Sequence, residues 1–147
     1  MSLEVPKQLW AQTLEQLRRC GGGRVECVAY WLASLDAPRR VESVVHPRHV
    51  STASYYEVDR AWLHDFVVSL RRNRRTAVAQ VHTHAGAAFH SRTDDENALV
   101  NSPGFLSLVI PRFARAPVRG GELFLAELAT DGRWNEVRFH EHIGGPA

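Results

Sequence analysis

The sequence predicts an α/β protein of the α+β type, with a mixed central β-sheet flanked by helices. Three observations predict it. Short runs rich in β-branched and aromatic residues recur at 24–35, 41–45, 76–84, 105–110, 122–128 and 134–139. Residues 6–19 and 57–72 instead carry the three- and four-residue apolar spacing of amphipathic helices. The two kinds of segment intermix without regular βαβ alternation, which points to a mixed sheet with helices packed on it.

The first helix is expected at 6–19, where Leu9, Trp10, Thr13, Leu14 and Leu17 form one stripe. Pro6 suits its first turn, and Gly21-Gly22-Gly23 ends it. Residues 24–35 read as a strand broken by Asp36-Ala37-Pro38, and 41–45 as a second strand closed by His46-Pro47, so that the two can form a hairpin. The second helix, 57–72, has a mixed apolar face including Ala61, Trp62, Phe66 and Leu70. Arg71-Arg72-Asn73-Arg74-Arg75 follows it. Cations at a helix C-terminus suit the macrodipole on a solvated face, which is preferred here over a patch for nucleic acid or an acidic protein. Residues 76–84 form the central strand and 93–101 a short helix stopped by Ser102-Pro103-Gly104. Three strands complete the chain, the last two joined by a turn at Asp131-Gly132.

At 147 residues the chain is expected to form one domain, 1–147, long enough to bury a core. Its 44% hydrophobic and 23% charged residues are ordinary globular composition. A net charge of +2 is too small to imply a nucleic-acid or membrane partner. The first residues lack a basic start followed by an apolar core, and no apolar run approaches a membrane span, so a cytoplasmic location is expected. Cys20 and Cys27 are accordingly expected as reduced thiols. They lack the Cys-X-X-Cys spacing of a thiolate zinc site. His46, His49 and His64 have no partners at ligand spacing, and His140-Glu141-His142 is followed by no carboxylate-bearing motif.

The chemistry concentrates in 80–95, where an apolar run feeds into His82-Thr83-His84 and a small-residue loop leads to Ser91-Arg92-Thr93-Asp94-Asp95. Residues two apart on a strand share a face, with α-carbons roughly 6.6 Å apart, so His82 and His84 can aim both imidazoles at one point. A carboxylate from the next element can complete three ligands and leave one position open, the arrangement of catalytic zinc. Glu26, in an otherwise apolar strand, is the candidate base. An acid there is costly without partners or a task, although by itself it reads as an exposed position or a partner of Arg24. Thr93-Asp94-Asp95-Glu96 is also a good helix start, so one of the aspartates can serve only as a cap. His90 is expected to pack in its loop.

A strand glutamate, then His-X-His, then Ser-X-X-Asp resembles the signature of the JAB/MPN/JAMM zinc metalloproteases, and 80–95 looks most like the bacterial branch. The resemblance rests on Glu26, His82, His84, Ser91 and Asp94, with the order of elements over 24–128 in support. It implies an MPN/JAB-like fold with Zn²⁺ held by His82, His84 and Asp94, and a water in the fourth position. Glu26 would be the general base and acid, and Ser91 an oxyanion donor. It implies hydrolysis of peptide or isopeptide bonds at the C-terminus of a ubiquitin-like protein or its conjugate. Enzymes resembling those that activate and conjugate ubiquitin would be further partners, and bacterial members are linked to anti-phage defence. Three departures stand out. Ala85 replaces the usual proline. The loop to Ser91 is one residue short, which sets Asp95 against Asp94 as third ligand. Tyr30-Trp31 replaces small residues and is expected to reshape the substrate groove. Relatives that have lost their ligands act as non-catalytic scaffolds, but here the ligand set is complete. Amidohydrolase barrels also use His-X-His but take about 250 residues.

Overall fold

The computed structural model describes residues 2–89 and 102–145. In chain order these form β1 (Leu3–Glu4), α1 (Lys7–Gly21), β2 (Val28–Ser34), β3 (Ser43–Val45), β4 (His49–Thr52), β5 (Tyr55–Val58), α2 (Arg60–Arg72), β6 (Arg75–Thr83), β7 (Leu106–Ile110), β8 (Phe124–Leu128), β9 (Trp134–Glu136), α3 (Phe139–His142) and β10 (Ile143–Gly144). Short 3-10 turns at Arg112–Ala114 and Gly120–Glu122 link β7 to β8. The main sheet has the order β3-β2-β6-β7-β8-β9. Only β6 and β7 run parallel; the other neighbours are antiparallel. The expected mixed sheet is present, with the His-X-His strand inside it.

Each face of the sheet is covered. On one, Leu14 and Leu17 of α1 pack with Ala29, Trp31, Ala79, Val81, Leu108 and Leu125. On the other, Val28, Tyr30, Leu32 and Tyr56 pack with Trp62, Phe66 and Leu70 of α2. This division follows from the two-residue period of strands: Ala29 and Trp31 point one way, Val28 and Tyr30 the other. Buried on both sides, β2 therefore reads as a continuous apolar run. Tyr30 stacks on Phe66 and Trp62, with centroids 5.8 and 6.4 Å apart, and Trp31 meets Trp10 at 6.0 Å. Both are buried. The expectation that they reshape a groove is overturned: they fill the spaces between sheet and helices.

Several boundaries shift for identifiable reasons. Gly22, at φ +57°, ends α1 in the left-handed conformation that glycine adopts without steric cost. β2 starts at Val28 rather than residue 24, because Glu26 N–H donates to Thr52 O at 2.8 Å, outside the main sheet. Residues 48–56, unassigned from the sequence, fold together with Glu57 and Val58 into the β4–β5 hairpin. That pairing holds Glu57 and Val58 in a strand, so α2 starts at Arg60, capped by the Asp59 carboxylate accepting from Trp62 N–H at 2.9 Å. β9 ends at Glu136, and Phe139 opens a helical turn instead. β1 and β10 pair in parallel, a contact no local pattern announced. The arginine run has structural uses: Arg71 and Arg72 end α2, Arg74 pairs with Asp36 at 3.0 Å, and Arg75 donates to Ser43 at 3.0 Å. The helix expected at 93–101 lies outside the described residues. Among the described residues, no helix is long and apolar enough to cross a membrane.

Candidate metal centre

The centre is built where β2 enters and β6 leaves the sheet. Val28 stands opposite His82 in the antiparallel ladder. The pairing continues through Thr83 N–H to Cys27 O at 3.1 Å and Cys27 N–H to Thr83 Oγ1 at 3.0 Å. Glu26 and His84 lie just beyond the paired segment, two residues from Val28 and His82 respectively, and the two-residue strand period sets each on its neighbour's face. Both imidazoles and the Glu26 carboxylate therefore belong to the α2 side of the sheet.

All three are withdrawn from solvent: His82 is 0% exposed, Glu26 4% and His84 5%. These values exclude the reading of Glu26 as an exposed strand position. The two imidazole centroids lie 5.3 Å apart. Tyr56, from the hairpin that the sequence did not reveal, packs its ring 5.2 Å from His82. Phe89 lies with its ring centroid 4.6 Å from that of His84, the two rings at 76°, and remains largely exposed. Tyr56 was not singled out from the sequence, where it looks like any strand aromatic.

The backbone of the His-X-His exit is held from the far side. His84 N–H donates to Ile110 O at 3.0 Å, Phe113 N–H to His84 O at 2.8 Å, and Arg112 N–H to Gly86 O at 3.0 Å. Arg112, Phe113 and Ala114 all have positive φ, 53°, 53° and 62°. Such conformations cost on the order of 1–3 kcal/mol each and persist only where the surroundings impose them. Here Phe113 and Ala114 are buried, and the Arg112 guanidinium binds both oxygens of Glu122 at 2.8 and 3.2 Å. That pairing holds the Glu122 carboxyl below the usual carboxylate range. The strained turn fixes the loop after His84.

Two imidazoles on one strand face beside a buried carboxylate suit a divalent metal. Neutral imidazole is a common ligand for zinc, and a carboxylate is rarely buried without a charged or hydrogen-bonding task. His90, Ser91, Asp94 and Asp95 lie outside the described residues. A disulfide joins Cys20 and Cys27, with α-carbons 5.9 Å apart, so the expectation of reduced thiols is overturned. The turn after α1 carries the two residues into bonding range. His46 and His49, expected to lack partners, also converge on these cysteines.

The fold and the buried donor set define the class: a mixed-sheet protein equipped to ligate a metal at one rim. No family model matches the chain. It is 33% identical over 141 residues to the probable metalloprotease y4jG of Sinorhizobium fredii (strain NBRC 101917 / NGR234), an alignment covering 92% of this chain and 87% of that protein. Its structure is similar to the solution structure of protein DSY2949 from Desulfitobacterium hafniense, at a TM-score of 0.68 and 19% identity, covering 96% of this chain and 90% of that one. It is also similar to the crystal structure of AF2198, a JAB1/MPN domain protein from Archaeoglobus fulgidus, at a TM-score of 0.54 and 13% identity, covering 97% and 98%. The chain belongs to the same family as y4jG, and its fold is that of the JAB1/MPN domain.

Proposed function

We propose that this chain is a zinc-dependent JAMM-type peptidase that hydrolyses peptide or isopeptide bonds at the C-terminus of a ubiquitin-like protein. The observation that carries the reading is the burial of Glu26, His82 and His84 together at the rim where β2 begins and β6 ends. The name of y4jG as a probable metalloprotease supports it.

In this reading His82, His84 and Asp94 hold the metal. Zinc, when bound, would lower the pKa of a bound water to about 7 and polarise the scissile carbonyl. Glu26 takes the proton released as the water attacks and returns it to the leaving amine. Burial excludes bulk water and keeps that proton local. Ser91, three residues before Asp94, donates to the oxygen on which negative charge develops. An extended C-terminal tail can add to the protein as a further strand, with main-chain hydrogen bonds aligning the bond to be cut. Phe89, exposed against His84, offers that tail an apolar contact.

The test is hydrolysis by the zinc-loaded full chain of a fluorogenic amide on the ubiquitin C-terminus, beside an unrelated short peptide amide. Zinc-dependent release from the first, well above the second, is expected. Stoichiometric zinc with no hydrolysis of either would make the chain a scaffold. Equal hydrolysis of both would remove the ubiquitin-like substrate while leaving the peptidase.

A further inference from the structure

We propose a second metal site, formed by Cys20, Cys27, His46 and His49 when the two cysteines are reduced, that takes a zinc ion in a closed structural role. It lies apart from the His82–His84 centre and does not depend on the function proposed for it. Cys27 packs on the α1 side of the sheet, whereas His82 packs against Tyr56 on the α2 side.

The four residues come from three places. Cys20 sits in the last turn of α1, Cys27 at the entry to β2, and His46 and His49 flank the turn between β3 and β4. One ligand atom from each lies within 4.8 Å of all the others. Tetrahedral zinc with Zn–S of about 2.3 Å and Zn–N of about 2.0–2.1 Å separates a sulfur from a nitrogen ligand by about 3.5 Å. Cys20 Sγ lies 3.5 Å from His49 Nε2, and Cys27 Sγ lies 3.4 Å from His46 Nε2. Two of the four sulfur–nitrogen edges of the tetrahedron are therefore already near the required length.

The hydrogen bonding of His49 points the same way. Its Nδ1 lies 3.1 Å from Pro47 O, so Nδ1–H donates to that carbonyl and Nε2 turns its lone pair toward Cys20. An imidazole fixed through its other nitrogen by a backbone carbonyl is how proteins orient a metal-ligating histidine. Burial supplies the rest. Cys27 is fully buried and Cys20 and His49 are half-buried, while His46 is exposed and leaves an entry path.

The disulfide and the metal site are alternative states of the same residues. A dithiol reductant supplies two electrons and two protons, opening the Cys20–Cys27 bond to two thiols while becoming a disulfide itself. The sulfurs then part to about 3.8 Å, the edge that two thiolates span on zinc. Binding of Zn²⁺ displaces the two thiol protons to solvent. Two cysteines and two histidines close the coordination sphere, as in structural rather than catalytic zinc sites. The ion would tie the end of α1 and the β3–β4 turn to the residue beside Glu26.

The test uses the full chain in excess dithiol reductant, titrated with Co²⁺ and, separately, analysed for bound zinc. The double variant His82→Ala/His84→Ala removes the other centre. It should keep one equivalent of metal and the near-ultraviolet thiolate-to-cobalt charge-transfer absorption, which the His82–His84 centre cannot produce. Cys20→Ser should abolish that absorption, and His49→Gln, which spares the cysteines, should weaken or shift it. Should Cys20→Ser fail to fold, His49→Gln still reads the site. A reduced, folded His82→Ala/His84→Ala chain without the absorption would overturn the proposal. So would a Cys20–Cys27 bond that survives the reductant with no cobalt bound, since the pair is then a disulfide only.

Discussion

Replacing Glu26 with glutamine keeps the shape of the side chain and removes its ability to take a proton. General acid–base catalysis contributes typically 10²–10⁴-fold. At 1.36 kcal/mol per tenfold, kcat/KM should therefore fall by an amount equivalent to about 2.7–5.5 kcal/mol. Glutamine keeps the size of this side chain, which is only 4% exposed, so the fold should be retained. Glu26→Gln should thus unfold in urea near the parent's concentration, with full zinc content. Cleavage of the ubiquitin C-terminal amide, metal analysis and a urea melt on one preparation give all three quantities. Unchanged cleavage would refute the role of Glu26 as base. Lost cleavage with a matching loss of zinc or of stability would instead make Glu26 a structural residue, because its effect would then pass through the fold.

Other outcomes follow from the same geometry. His82→Ala should reduce zinc at the candidate centre, and Asp94→Ala should do so while Asp95→Ala does not; metal analysis that reverses the aspartates would make Asp95 the third ligand. Thr13→Val removes the hydroxyl that accepts from Trp31 Nε1–H at 2.9 Å in a fully buried setting. Leaving that indole donor unsatisfied should cost about 1–3 kcal/mol in a denaturant titration. Leu108→Ala, at a fully buried position in the middle of β7, should cost about 2–5 kcal/mol by the same measurement.

The legible parts of the molecule are those whose information is local. Leu14 and Leu17 announce the buried stripe of α1 by spacing alone, and 76–84 announces a central strand by its apolar Ala77, Val78, Ala79 and Val81. His82 and His84 could be paired because the two-residue strand period fixes their common face. The β4–β5 hairpin was not legible because His49–Thr52 only alternates half-buried with exposed positions, Tyr55–Val58 buries Tyr56 alone, and no strong turn pair joins them. With it went Tyr56, which reaches His82 only through tertiary packing. The convergence of Cys20 and Cys27 on His46 and His49 was missed for a related reason. The residues arrive from three elements, and their spacing matches none of the compact patterns by which thiolate zinc sites are usually found. Glu26 was legible as an anomaly in an apolar run, but its place at the same rim as His82 and His84 is a matter of register, which no single strand reveals.

The direction of the strands has a practical consequence. Because β6 and β7 run parallel while β2 runs against them, the start of one and the ends of two meet at a single rim. Everything at the other rim is then remote. β6 is 9 residues long, which puts the turns near Asp36, Arg74 and Pro103 roughly 26 Å from the histidine pair. A fluorophore, an affinity peptide or a surface-immobilisation handle inserted at Asp36–Pro38, where the chain is exposed, leaves the working rim clear for a large macromolecule.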